Sequence, residues 1–132
     1  MTNERRLAEL VRVSREVGEP ALDLVVLAEG NTSTLLDDRT FFVKGSGARL
    51  ATVEAADFAH VRLEPLLDAA LDDRPCDVRA LFHEAQVEGT TSPRPSIETL
   101  LHAVALGLGE ASWVIHTHPT VLTGLLCSTA GE

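Results

Sequence analysis

Positive charge is scarce in this sequence. Its 132 residues include 11 Lys and Arg against 20 Asp and Glu, for a formal net charge of −9. A surface of this sign repels phosphate backbones and anionic lipid headgroups. We therefore expect neither nucleic acid nor a membrane surface as a partner. A small anionic substrate stays open, because a local site can override the overall charge.

Long apolar runs and cysteine motifs are also missing. No stretch reaches the ~18 apolar residues of a membrane span, and the N-terminal MTNERRLAEL lacks the apolar core of a signal peptide. Cys76 and Cys127 lie far apart and form no metal or redox motif. The sequence therefore predicts a soluble cytoplasmic protein with free thiols.

Apolar periodicity predicts helices that alternate with short strands. The predicted helices are residues 4–17, 64–73, 78–87, 96–108 and 119–126. The predicted strands are residues 32–36, 40–44, 58–63 and 112–117, the first two forming a hairpin. Ser96 is the predicted N-cap of its helix. Without repeats, low-complexity tracts or linkers, we expect one domain over residues 1–132, a layered α/β sandwich with a mixed sheet.

The last predicted strand ends in two histidines within WVIHTHP. On a strand, residues i and i+2 point to the same face, so His116 and His118 should project together. Two neutral imidazole nitrogens so placed can hold one divalent ion at ~2.0–2.1 Å. The alternative is a pair of hydrogen-bonded histidines at a strand end, since burying imidazoles without partners is costly.

Glu98 lies on the first turn of the predicted helix that precedes this strand, and the connection is long enough to return its carboxylate to the histidines. A carboxylate beside a metal suits proton abstraction next to a carbonyl, because the metal polarises the carbonyl oxygen and holds the enediolate. The alternative is an ordinary glutamate favoured by the helix dipole. We expect His102, one turn later, to pack or hydrogen-bond behind the site. His60 and His83 receive no role.

Two glycine-containing turns, EGNTS and KGSGA, have the donors that an anion needs. Glycines let backbone N–H groups converge on a ligand, and Asn31 or Ser46 adds a side-chain donor. Ser96, at a predicted helix N-terminus, would add a third donor. Each of these is also typical of a plain turn or cap, but together they favour an anion site.

Four motifs, EGNTS, FFVKGSG, RPSIETLLH and WVIHTHP, resemble in this order the class II aldolase/adducin family. The resemblance covers about residues 5–132 and is closest to fuculose- and rhamnulose-phosphate aldolases. It implies a three-layer α/β/α sandwich with a mixed, largely antiparallel sheet, in a homotetramer. It also implies a divalent metal, for which two imidazoles favour Zn²⁺, although Mn²⁺ or Co²⁺ can fill such a site.

The same resemblance implies metal-dependent, reversible retro-aldol cleavage of a sugar or sugar phosphate. His116 and His118 would be metal ligands, and Glu98 would be the acid/base. The substrate phosphate would be held by Gly30, Asn31, Ser46, Gly47 and Ser96. The alternatives are an epimerase, decarboxylase or dehydratase on the same scaffold, or a non-catalytic module like the adducin head.

The sequence departs from the family pattern in two places. Ile97 stands where fuculose-phosphate aldolases have a second serine, so the substrate phosphate is expected to be placed differently or to be absent. The third metal histidine of the family lies beyond the last residue here, Glu132. We therefore expect a C-terminally truncated domain whose third ligand comes from Glu98, His102 or a neighbouring subunit.

Overall fold

A computed structural model describes residues 2–72, 75–89 and 92–129. The helices of this part are α1 (Asn3–Val17), α2 (Leu63–Leu71), α3 (Val78–Ala85), α4 (Thr99–Leu108) and α5 (Thr120–Leu126). The strands are β1 (Asn31–Leu35), β2 (Thr40–Lys44), β3 (Phe58–Arg62) and β4 (Trp113–His116). Every predicted helix and strand is confirmed; β2 has the predicted bounds, and each of the other elements differs at one or both ends. Position 73 of the second predicted helix, and positions 1, 74, 90, 91 and 130–132 of the predicted domain, lie outside the described residues.

The strands form one sheet in the order β3-β2-β1-β4, and each described pairing is antiparallel. The predicted hairpin of β1 and β2 is confirmed. Its turn is closed by Asp37, whose Oδ1 accepts the backbone N–H groups of Arg39 at 2.9 Å and Thr40 at 2.7 Å. Aspartate commonly stabilises a turn in this way, by accepting backbone N–H groups two or three residues later in the chain. The turn sets the register that places Ser33 opposite Val43.

Helices cover both faces of the sheet, because β2 carries apolar side chains on both. Phe41 and Val43 are fully buried against α2, α3 and α4, whereas Phe42 packs with Leu10 of α1 on the other face. On β4, Trp113 lies on the α1 side and Val114 on the opposite side, as strand alternation requires. The three-layer α/β/α sandwich with a largely antiparallel sheet is confirmed, whereas the parallel pairing that a mixed sheet requires is not found among the described strands. No helix among the described residues is long and apolar enough to cross a membrane.

The start of α4 differs from the prediction. The helix begins at Thr99, and Glu98 is its N-cap without a side-chain capping bond. Ser96 forms a turn before the helix: its hydroxyl accepts the N–H of Glu98 at 3.4 Å and its carbonyl accepts the N–H of Thr99 at 2.9 Å. The prediction that Ser96 caps a helix starting there is therefore wrong. Pro95 contributes to this outcome, since its bridge to Gly45 holds the segment extended beside β2.

Candidate metal centre

Three elements meet where β1 begins and β4 ends. Asn31, the first residue of β1, pairs with His116, the last residue of β4. His118 lies beyond β4, and its backbone N–H donates to the carbonyl of Leu24 at 2.8 Å, which holds the chain against the segment before β1. Glu98, directly before α4, completes the group. The structure therefore brings together the glutamate and both histidines that sequence reasoning selected.

The potential ligand atoms of these three side chains face one another. Glu98 Oε1 lies 3.6 Å from His116 Nδ1 and 3.9 Å from His118 Nε2. The two imidazole centroids are 4.6 Å apart with an interplanar angle of 50°. All three ligand atoms lie within 4.8 Å of one another. The carboxylate and both rings are partly buried, with 26–32% of each side chain exposed.

This geometry fits a divalent ion. Ligands bound tetrahedrally at ~2.0–2.1 Å stand roughly 3.3 Å apart, close to the separations seen here. His116 Nδ1 and His118 Nε2 are also buried and have no hydrogen-bond partner among the described residues. Buried polar atoms without a partner are unfavourable. A cation at this point would satisfy both nitrogens and use the negative charge of Glu98.

Asn31 holds the other oxygen of the same carboxylate. Its side-chain Nδ2 donates to Glu98 Oε2, and only 2% of the residue is exposed. The two carboxylate oxygens therefore have different surroundings, since Oε1 faces the histidines and Oε2 faces the amide. Sequence reasoning had placed Asn31 at a phosphate and had missed this contact.

His102 lies behind the site, as expected, and hydrogen-bonds there. Its ring is fully buried, and its Nδ1 lies 2.7 Å from Ser33 Oγ. Burial, together with the nearby His116, lowers the pKa of His102 to about 4. His102 is therefore neutral at neutral pH, and it does not belong to the group of ligand atoms around Glu98.

The two glycine turns flank this region. Gly30 has a φ of 88°, and a Cβ there would lie 3.1 Å from the carbonyl oxygen of His116, so only glycine lets β1 start so close to β4. In the second turn, the Ser46 backbone N–H donates to the Arg94 backbone carbonyl at 2.9 Å. The bridge between Gly45 and Pro95 places this turn beside Ser96. The donors left for an anion in the second turn are the exposed Ser46 hydroxyl and the backbone after it.

Lys44 joins the two turns and was missed by sequence reasoning. It is 1% exposed, and its Nζ donates to the carbonyls of Ala28 at 3.1 Å and Ala48 at 2.7 Å. Burial lowers the pKa of Lys44, while the negative charge of Glu98 opposes that shift. The signal was present in the sequence, because strand alternation puts Lys44 on the same buried face as Phe42.

Comparison with known proteins finds a family that this sequence matches. The family described as Class II Aldolase and Adducin N-terminal domain matches residues 8–132. An uncharacterized oxidoreductase, YuxG of Bacillus subtilis (strain 168), is 32% identical over 112 residues. The aligned part is 78% of this chain but 16% of that protein. The chain thus spans a small part of this curated relative.

Solved structures give the same result for the fold. The N-terminal class II aldolase domain of a conserved protein from Thermoplasma acidophilum matches with a TM-score of 0.73 and 30% identity, over 92% of this chain and 58% of that one. The l-fuculose-1-phosphate aldolase of Thermus thermophilus matches with a TM-score of 0.60 and 24% identity, over 90% of this chain and 50% of that one. The second likeness bears on the fold alone.

Proposed function

Because the chain belongs to the class II aldolase and adducin N-terminal domain family, we propose that it carries the metal and acid–base centre of a divalent-metal-dependent aldolase. The reaction is reversible retro-aldol cleavage of a carbon–carbon bond in a sugar or sugar phosphate. One observation carries the proposal: the Glu98 carboxylate lies 3.6 and 3.9 Å from two imidazole nitrogens that have no other partner among the described residues.

The roles follow from the atoms that face one another. His116 Nδ1 and His118 Nε2 hold the ion, with Glu98 Oε1 in reach as a further ligand. Two imidazoles favour Zn²⁺, and Mn²⁺ or Co²⁺ suits the same donors. When bound, the ion supplies polarisation of the substrate carbonyl. Glu98 transfers the proton at the carbon next to that carbonyl, giving it up in cleavage and taking it in condensation.

The phosphate or another anionic group of the substrate would lie between the turns. Gly30, Asn31, Ser46, Gly47 and Ser96 are its proposed binding residues. The bridge between Gly45 and Pro95, which brings the second turn beside Ser96, supports this assignment. Ile97, which is 65% exposed, adds no donor there.

We also propose that the protein acts as a homo-oligomer, with a tetramer expected from the family resemblance. The support is an apolar surface on α5, where four large side chains are at least half exposed in the described chain. Its members, between 50% and 81% exposed, are Val121, Leu122, Leu125 and Leu126.

The first experiment measures zinc per protomer after dialysis without chelator. We expect near-stoichiometric zinc in the wild type, and a loss of affinity greater than about 100-fold in His116→Ala, since even residues behind metal ligands change affinity 10–100-fold. His83→Ala, on the exposed side of α3, is the matched control and should bind as the wild type does. Wild-type zinc affinity in His116→Ala would exclude the ligand assignment.

The second experiment tests the proton transfer. A hydroxyketone donor, with and without phosphate, is incubated in deuterated water with zinc-saturated protein, and exchange of its C–H is followed by NMR. Exchange in Glu98→Gln should be slower by about 100-fold or more, within the range for a general base. Unchanged exchange in this variant would remove Glu98 from the mechanism.

A further inference from the structure

Among the described residues, the Glu98 carboxylate receives one side-chain hydrogen bond, from Asn31 Nδ2 to Oε2. We propose that Asn31 is a positioning residue for Glu98: its amide holds Oε2, so that Oε1 stays directed at the two histidines and the affinity for the ion is raised. This inference rests on the proposed function, because it assumes that Glu98 and the histidines hold a metal.

The direction of the hydrogen bond follows from the chemistry of the groups. An ionised carboxylate only accepts, so the Asn31 atom that faces it must be the amide nitrogen. A hydrogen bond to a charged acceptor is stronger than one between neutral groups. Within the described residues Glu98 receives no other side-chain donor, and its carboxylate would otherwise turn about three side-chain bonds.

Asn31 is suited to this role because its own position is restrained. It is 2% exposed and lies in β1 directly opposite His116 of β4. Gly30 before it has a φ of 88°, which favours glycine, and a Cβ there would lie 2.7 Å from Val25 Cγ1 and 3.1 Å from the His116 carbonyl oxygen. The Asn31 amide that orients Glu98 is therefore fixed to β1, and β1 pairs with β4, which carries His116. This pairing keeps the separation between Asn31 and His116 constant.

The role can be separated from phosphate binding. An amide nitrogen has two N–H donors, so one can bond Glu98 while the other faces a substrate anion. If Asn31 served the anion alone, its loss would weaken binding of phosphorylated substrates and leave metal affinity unchanged. If Asn31 positions Glu98, metal affinity falls when no substrate or phosphate is present.

The test measures zinc affinity by competition with a chromogenic chelator in phosphate-free buffer. Asn31→Leu has nearly the same size and no donor, and Asn31→Ser serves if the leucine variant does not fold. Thr32→Val is the matched control. Thr32 is the next residue of β1 and is fully buried, and its hydroxyl contacts Ser14 Oγ at 2.6 Å on the opposite face of the sheet. The valine variant loses that contact and leaves the Asn31 side of the strand unchanged.

We expect the Asn31 variants to bind zinc 10–100-fold more weakly and Thr32→Val to stay within about twofold of the wild type. Wild-type affinity in the Asn31 variants, or an equal fall in Thr32→Val, overturns the positioning role and leaves the proposed function intact. Absence of zinc binding by the wild type overturns both.

In the metal-free protein, the Asn31 side-chain N–H signals should also shift on Glu98→Ala, and signals that do not move contradict the contact.

Discussion

Polar side chains pair between β1 and α4 at two successive levels. Asn31 bonds Glu98, and Ser33 lies 2.7 Å from His102. Residues two apart on a strand are separated by ~6.6 Å, and residues four apart on a helix by ~6 Å. Because these spacings nearly match, both contacts can form at once.

His102 should make stability depend on pH. The pKa of His102 falls from 6.5 to about 4 on folding. Burial is the larger cause, and the charge of the nearby His116 is the smaller one. Between these values the unfolded chain binds more protons than the folded chain. The contribution of neutral His102 to the free energy of unfolding is therefore fully present above pH 6.5. It is lost as pH falls toward 4, by up to roughly 3 kcal/mol.

Urea unfolding of metal-free protein at several pH values measures this effect. His102→Gln has no group that titrates between pH 4 and 7 at this position, so its free energy of unfolding should fall less steeply than that of the wild type. His60 has a lowered pKa as well, but it is present in both proteins and cancels in the comparison. Equal slopes would show that His102 does not contribute.

At the scale of elements, α1 ends where it touches the short turn at Leu50–Thr52. A Cβ on Gly18, the C-cap of α1, would lie 2.3 Å from the Ala51 nitrogen and 2.5 Å from the Leu50 carbonyl carbon. Its φ of −77° is open to any residue. Space, rather than backbone conformation, therefore requires glycine at this contact.

Gly18→Ala should lower the free energy of unfolding by about 1–3 kcal/mol, because backbone atoms cannot move aside as a flexible side chain can. Gly124→Ala is the matched control: Gly124 lies within α5 with nothing within 4 Å of its added Cβ. That change should be neutral or stabilise by up to about 1 kcal/mol. Denaturant unfolding of both variants measures the difference, and an unchanged Gly18→Ala would contradict the close contact.

The whole molecule leaves the β4 edge of its sheet and the apolar surface of α5 uncovered within the described chain. β4 is the last strand of the sheet, and Ile115 on it is 48% exposed. α5 beyond it presents its leucines and Val121 to solvent. Free strand edges and contiguous apolar surface are typical of surfaces that associate with protein. The two features lie next to each other in the sequence and flank the candidate metal centre.

The chain should therefore associate with itself as its concentration rises. Val121 and Leu125 are four residues apart on α5 and share a face, so the double change Val121→Glu and Leu125→Glu should reduce the mass measured by light scattering. Leu71→Glu, at a 57% exposed leucine ending α2, is the control and should have little effect. A wild type that stays monomeric throughout would contradict the proposed oligomer.

Short-range patterns in the sequence determined the elements and part of the site. Short runs of β-branched and aromatic residues placed β2 and β4, the Asp-rich turn placed the hairpin, and helical periodicity placed α1 and α4. That His116 and His118 project to the same side was also predicted from their spacing of two residues, although His118 lies just past the end of β4. These features depend on neighbours in the chain, which is why reading along the sequence found them.

Only the tertiary structure decided how distant residues meet. In the folded chain α4 begins at Thr99 rather than at Ser96, the amide of Asn31 donates to Glu98, and Lys44 lies buried between two turns. Each of these outcomes depends on the packing of separate elements against one sheet, and local periodicity carries no information about which side chains then face each other. The site residues were visible in the sequence, but the contacts that orient them required the folded chain.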